Sequence, residues 1–136
     1  MSKIHYAKGY NYQLRLDYMQ QTPLRPPVAV EHEFFRLTTD GVLWMKEKYA
    51  WDGATDAPDT KAFLRGSLLH DGCYQMMREG LLPQSFRQQA DDLLIACCRE
   101  DGMVEIEVGL VYEALKLFGG PAAALGAKPY PTLEAP

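Results

Sequence analysis

The stretch Gly66-Ser-Leu-Leu-His-Asp-Gly-Cys-Tyr74 sets a histidine and an aspartate within an otherwise apolar run. Its apolar and small residues recur at helical spacing around His70, which predicts a helix that is apolar on most sides and central in the fold. Ionisable side chains in such a helix need partners, because burying them unpaired costs several kcal/mol. The stretch therefore predicts a buried polar cluster around His70.

Helical periodicity continues on both sides of this stretch, and three helices are predicted in the C-terminal half: residues 60–79, 83–101 and 104–118. Gly80 suits the C-terminal end of the first helix, and Gly119-Gly120 is predicted to stop the third. The residues that follow, 121–136, are rich in Ala, Pro and Gly. We expect them to form an extended tail that docks weakly or onto a partner.

The N-terminal half has the patterns of β-strands. Apolar and polar residues alternate over 12–18, as in a half-buried strand. A second strand is predicted over 28–37 and a third over 42–49, joined by a hairpin turn at Asp40-Gly41. This order of elements predicts an α+β fold, in which N-terminal antiparallel strands pack against three C-terminal helices.

Length and composition exclude several classes of protein. With 136 residues, the chain is expected to form one domain over residues 1–120, followed by the tail. The net charge is -4 and the basic residues are scattered among acids, so direct nucleic-acid binding is not expected. No apolar run suits a signal peptide or a membrane span, so we expect a soluble product of the cytosol. The three cysteines lack metal-binding spacing and are expected to be buried, reduced thiols.

Helical spacing brings four ionisable residues toward one place. His70 and Asp71 lie on the first predicted helix, and Arg87 and Asp91 are i, i+4 partners on the second. These side chains can converge where the two helices meet. The loop 52–56 leads directly into the first helix and can close over them.

One interpretation of this convergence is structural. Arg87 would bind Asp71 or Asp91 through two parallel hydrogen bonds, for which its planar guanidinium is suited. His70 would bond a carbonyl group of the loop. The residues would then form a buried salt-bridge network that holds the helices and the loop together.

A second interpretation is a metal site. An adjacent His-Asp pair on a helix supplies two ligands in some metal-dependent phosphohydrolases, and a later aspartate supplies another. In this chain the ligands would be His70, Asp71 and Asp91. Such enzymes use further histidines, which this sequence does not offer at suitable places, so the sequence names no metal.

A third interpretation makes His70 a general base. Asp71 or Asp56 would orient it, and Arg87 would stabilise negative charge. Thr55 or Ser67 would be the candidate nucleophile. The sequence has neither a phosphate-binding nor a dinucleotide-binding glycine motif, so it identifies no cofactor.

Four blocks of the sequence resemble domain-of-unknown-function family 1353, a set of small phage and prophage proteins. The blocks are Ala50-Trp-Asp-Gly-Ala-Thr-Asp-Ala-Pro58, Leu68-Leu-His-Asp-Gly-Cys-Tyr74, Arg87-Gln-Gln-Ala-Asp91 and Val111-Tyr-Glu-Ala-Leu-Lys-Leu-Phe-Gly119. They stand in the order of the family's pattern and cover roughly residues 40–120.

The resemblance implies a phage origin and a site built from Asp52, Thr55, His70, Asp71, Arg87 and Asp91. The activity of the family is unsettled, so two functions are expected. The first is a virion-associated structural or assembly component of the neck or tail, made in the host cytoplasm, whose partners are other virion proteins or copies of itself. The alternative is a small hydrolase, metal-dependent or using a histidine base, that acts in lysis or cell-wall penetration. The incomplete set of metal ligands favours the virion component.

Overall fold

The computed structural model describes residues 4–8, 12–51 and 61–126. Its strands precede three α-helices, which confirms the predicted α+β class. The elements are β1 (Tyr6–Lys8), β2 (Tyr12–Leu14), β3 (Tyr18–Gln21), β4 (Val30–Glu31), β5 (Phe35–Leu37), β6 (Val42–Met45), β7 (Ala50–Trp51), α1 (Lys61–Arg78), α2 (Arg87–Glu100) and α3 (Glu105–Ala123). A 3₁₀ turn over Gln84–Phe86 leads into α2.

The strands form two antiparallel sheets, with the orders β1-β2-β7 and β3-β6-β5-β4. The strand predicted over 12–18 is therefore wrong as a single element, because β2 and β3 belong to different sheets. Asp17 lies at the bend between them. Its carboxylate accepts hydrogen bonds from the backbone N–H of Glu47 at 2.7 Å and from Nε1 of Trp44 at 2.9 Å. The predicted hairpin at Asp40-Gly41 is confirmed and joins β5 to β6.

Helix α1 lies at the centre of the fold, as its sequence predicts. Thirteen of its 18 residues are buried. One hydrophobic cluster joins it to both sheets and to α2, and a second joins its first turns to α2 and α3. Gly72 shows how closely α1 approaches the strands, since a Cβ atom there would lie 2.9 Å from the sulfur of Met45. The helix ends at Arg78, and Gly80, two residues further on, has a positive φ of 75° that suits glycine.

Helix α3 is longer than its sequence suggests. The prediction that Gly119-Gly120 stops it is wrong, because the helix continues through Pro121 to Ala123. Glycine weakens a helix by about 1 kcal/mol relative to alanine, but tertiary packing readily outweighs that preference. Here both glycines lie against side chains of α1 and α2. Within the parts of the chain that the structure describes, no helix is long and apolar enough to span a bilayer.

Candidate functional site

Asp91 of α2 is the centre of the polar cluster. Its Oδ1 lies 2.8 Å from Nε2 of His70 and accepts a hydrogen bond of 2.6 Å from the hydroxyl of Tyr74. The exposed fractions of Asp91, His70 and Tyr74 are 6%, 7% and 3%. An ionised carboxylate only accepts hydrogen bonds, so Nε2 of His70 carries the hydrogen. We call His70, Tyr74, Arg87 and Asp91 the Asp91 cluster.

His70 and Tyr74 occupy successive turns of α1 on the face toward α2. Their ring centroids are 4.0 Å apart, so the two side chains also pack against each other. Burial raises the pKa of the Tyr74 hydroxyl above its usual value, and the hydrogen bond to Asp91 raises it further. Tyr74 therefore stays protonated and keeps donating to Asp91 over the ordinary range of pH.

Arg87 closes the cluster on the solvent side and forms an ion pair with Asp91, but without the two hydrogen bonds predicted for it. Its Nε lies 4.0 Å from Oδ2 of Asp91, and its Nη2 donates a hydrogen bond of 3.3 Å to the carbonyl of Leu115 in α3. The prediction of two parallel hydrogen bonds from Arg87 to Asp91 is therefore wrong. The physical reason is that His70 and Tyr74 hold the other carboxylate oxygen, while the Arg87 side chain, 36% exposed as a whole, extends from α2 to the backbone of α3.

The glycine pair of α3 brings the backbone of that helix against the cluster. A Cβ atom at Gly119 would lie 2.5 Å from the hydroxyl oxygen of Tyr74, and one at Gly120 would lie 3.1 Å from Nη1 of Arg87. Any larger residue at Gly119 would displace the tyrosine. Three of the four sequence blocks that resemble the phage family lie on α1, α2 and α3. These three blocks thus meet at the Asp91 cluster.

The fourth block reaches the same region through its first residues. Nε1 of Trp51 donates a hydrogen bond of 2.9 Å to Oγ of Ser67, one turn of α1 before His70. Asp52 and Thr55, which the sequence also places at the site, lie outside the described residues.

Asp71 is next to the cluster in sequence and has an interaction of its own. It follows His70 in α1 and is half-buried. Over residues 4–8, 12–51 and 61–126, no group of three or more His, Cys, Asp or Glu side chains could hold a metal ion. The set His70, Asp71 and Asp91 is therefore not assembled as a three-ligand site in this part of the chain.

A second buried charge, Arg65 of α1, was not singled out from the sequence. Its guanidinium bonds Asp101 at 3.0 Å, Glu100 at 2.7 Å and Gln20 at 2.8 Å. Burial acts to lower the pKa of Arg65, but the hydrogen bonds to Asp101 and Glu100 raise it by more. The residue joins α1 to the end of α2 and to β3. An arginine within an apolar helical run was the available signal.

The cysteines are buried free thiols, as predicted. Burial raises the pKa of Cys73 and of Cys98 to about 12, and that of Cys97 to about 11. They are therefore protonated at neutral pH, and a protonated thiol is a poor nucleophile and metal ligand.

Comparison of the chain with protein-family models, with curated proteins and with solved structures found no match. The resemblance to domain-of-unknown-function family 1353 accordingly stays a prediction.

Proposed function

We propose that this chain is a virion-associated structural or assembly component of a phage, belonging to the neck or tail region. In this proposal the Asp91 cluster holds the three helices together, and the protein acts through contacts with other virion proteins or with copies of itself. The resemblance of four sequence blocks to a phage family supports the phage setting.

The observation that carries the proposal is the closure of the Asp91 cluster. His70 and Asp91 are buried against each other, with exposed fractions of 7% and 6%, so little of the imidazole is open to a substrate. A general base must come within hydrogen-bond reach of the proton that it removes. The arrangement therefore suits a role in holding α1 against α2 better than a role in chemistry on a substrate.

The outer face of α3 supports action through protein contacts. Ile106, Leu110 and Leu117 are 81%, 56% and 70% exposed, and their spacing places them on one side of the helix. The opposite side carries the buried Val108 and Val111. Exposed apolar surface of this kind commonly marks contact sites between proteins.

A small hydrolase is the second candidate, and the His70–Asp91 contact of 2.8 Å favours it. A carboxylate bonded to one ring nitrogen of histidine fixes the tautomer and orients the other nitrogen as a base. In that case Arg87, at the solvent edge of the cluster, would supply positive charge to the developing anion.

The substitution His70→Gln separates the two functions. The amide nitrogen of glutamine can still donate a hydrogen bond to Asp91, but the side chain has no basic nitrogen. We expect phage particles to contain the protein when they are purified by sedimentation, and His70→Gln to leave this incorporation intact. The double variant Ile106→Asp/Leu117→Asp should lose it, while Gln89→Asp, an exposed position on α2, should not.

Particles of normal composition and infectivity that lack the protein would contradict the proposal. Cleavage of cell-wall material by the purified protein, lost in His70→Gln although the variant folds, would establish the hydrolase instead.

A further inference from the structure

An apolar groove of about 670 Å³ lies away from the Asp91 cluster. One side is formed by the segment 27–31, which contains β4, the edge strand of the four-stranded sheet. The other side is formed by residues 80–84, where the chain turns after α1. Leu125, just beyond α3, also lines the groove. The groove thus combines a sheet edge, a turn and the last described part of the chain.

The lining of the groove suits an apolar segment. Val28 is 72% exposed, and Leu81 and Leu125 are exposed as well. The charged residue among those lining it is Glu31, which is already paired with Arg36 at 2.8 Å. Apolar surface gains about 25 cal/mol per Å² when it is covered, and proteins commonly cover a sheet edge with a loop.

The path of the chain after α3 leads to this groove. The N–H of Gly126 donates a hydrogen bond of 2.7 Å to the carbonyl of Arg78, at the end of α1. A Cβ atom at Gly80 would lie 3.2 Å from Cδ1 of Leu125. The hydrogen bond, with Leu125 lying beside Gly80, therefore places the chain at the rim of the groove at the point where the described structure ends.

The residues that follow have the composition that the groove requires. They read Ala127-Lys-Pro-Tyr-Pro-Thr-Leu-Glu-Ala-Pro136, with Tyr130 and Leu133 as the large apolar side chains. Segments rich in proline favour an extended conformation of about 3.1 Å per residue. Tyr130 is four residues beyond Gly126 in the sequence, and four extended residues span at most about 14 Å.

We propose that residues 127–136 bind in the groove of their own chain, with Tyr130 and Leu133 covering Val28 and Leu81. The segment then shields the edge of the four-stranded sheet and fastens the end of α3 to the turn after α1. This inference concerns a surface separate from the Asp91 cluster and does not depend on the proposed function.

A photo-crosslinking amino acid in place of Tyr130 tests the proposal in the full chain. p-Benzoylphenylalanine is aromatic like tyrosine, and irradiation should join it to residues 27–31 or 80–84 within one chain, as mapped by mass spectrometry. Val28→Asp places a charge in the groove and should abolish this crosslink. Val104→Asp, another exposed valine but outside the groove, should leave it unchanged.

Hydrogen exchange provides a second measurement that needs no crosslinker. The double variant Tyr130→Ser/Leu133→Ser should speed exchange of the amides in 27–31 while the exchange of α1 stays as in the parent chain. Crosslinks to other parts of the chain, a product of twice the chain mass, no crosslinked product, or unchanged exchange in 27–31 would each overturn the proposal.

Discussion

The backbone of Gly119 in α3 lies so close to the side chain of Tyr74 in α1 that a Cβ atom at Gly119 would be 2.5 Å from the tyrosine hydroxyl. That hydroxyl is bonded to Asp91 of α2, so one contact point joins the three helices. The same helix has a glycine two to three turns away, Gly109, where a Cβ atom would meet nothing within 4 Å. The two glycines therefore form a matched pair for mutation.

We expect Gly119→Ala to destabilise the protein by about 1–3 kcal/mol, because the added methyl group would push Tyr74 away from Asp91 and leave a buried polar group unsatisfied. Gly109→Ala should instead stabilise it by about 0.5–1 kcal/mol through helix propensity. Urea denaturation followed by circular dichroism measures both. Equal stabilities of the two variants would show that α3 does not pack against Tyr74 in this way.

Asp91 and Asp92 are neighbours in α2 with opposite expected effects. Asp91→Ala removes the acceptor of two buried donors, on His70 and Tyr74, and each donor left unsatisfied costs about 1–3 kcal/mol. Asp92 is exposed and bonds the side chain of Gln88, so Asp92→Ala should change the stability by no more than about 0.5 kcal/mol. Thermal unfolding compares the two variants.

A double-mutant cycle sharpens this test. Tyr74→Phe should cost less stability in the Asp91→Ala background than in the parent chain, because its hydrogen bond is already lost. Additive effects of the two substitutions would mean that Tyr74 and Asp91 do not interact.

Spacing within the helices was enough to predict that His70 and Asp91 converge where α1 meets α2, but the predicted partner of His70, a carbonyl group of the loop, is wrong for Nε2, which bonds Asp91. Both lie on stripes that face the same interhelical contact, and a buried imidazole needs a partner. Tyr74 was not assigned a role because a tyrosine one turn from His70 is equally typical of simple packing. Its hydrogen bond depends on where α2 lies, which is tertiary information.

Patterns of neighbouring residues mispredict the secondary structure where a contact that is remote in sequence determines the backbone conformation. The alternation over 12–18 predicts one strand, but Asp17 binds the backbone of Glu47 at 2.7 Å, and the chain bends there. Gly119 and Gly120 are typical of a helix end, yet the helix continues because they meet Tyr74 and Arg87. In each case the deciding partner is remote in sequence.

Two neighbouring ion pairs at the end of α2 should differ in importance. Arg65 is buried and bonds Glu100 and Asp101, so Arg65→Met, which keeps the packing of the side-chain stem, strands the Asp101 carboxylate. The free energy of unfolding should fall by an amount near the lower end of about 3–5 kcal/mol, because Glu100 faces solvent. Arg99→Met removes an exposed pair with Glu105 and should leave the urea midpoint unchanged. Equal midpoints for the two variants would contradict a structural role for Arg65.

The buried thiols make the stability depend on pH in the alkaline range. Burial raises the pKa of Cys73 from 9.0 to about 12 in the folded chain, so above pH 9 the unfolded chain releases a proton that the folded chain retains. The contribution of such a thiol to the free energy of unfolding is complete below pH 9. Between its unfolded and folded pKa values, this contribution decreases by about 1.4 kcal/mol per pH unit. Burial also raises the pKa of Cys97 and of Cys98, so these two thiols add to the decrease of stability with rising pH.

We therefore expect the free energy of unfolding, measured in urea with a reductant present, to be lower at pH 10 than at pH 8. Cys73→Ala should reduce this difference by the contribution of one thiol, whatever it does to the stability at pH 8. Because the folded chain keeps Cys73 protonated and buried, iodoacetamide should alkylate it at pH 8 only at the rate of unfolding. A pH dependence that is identical in Cys73→Ala, or rapid alkylation of Cys73 in the native protein, would show that this thiol is accessible and that α1 is not buried against the sheets as described.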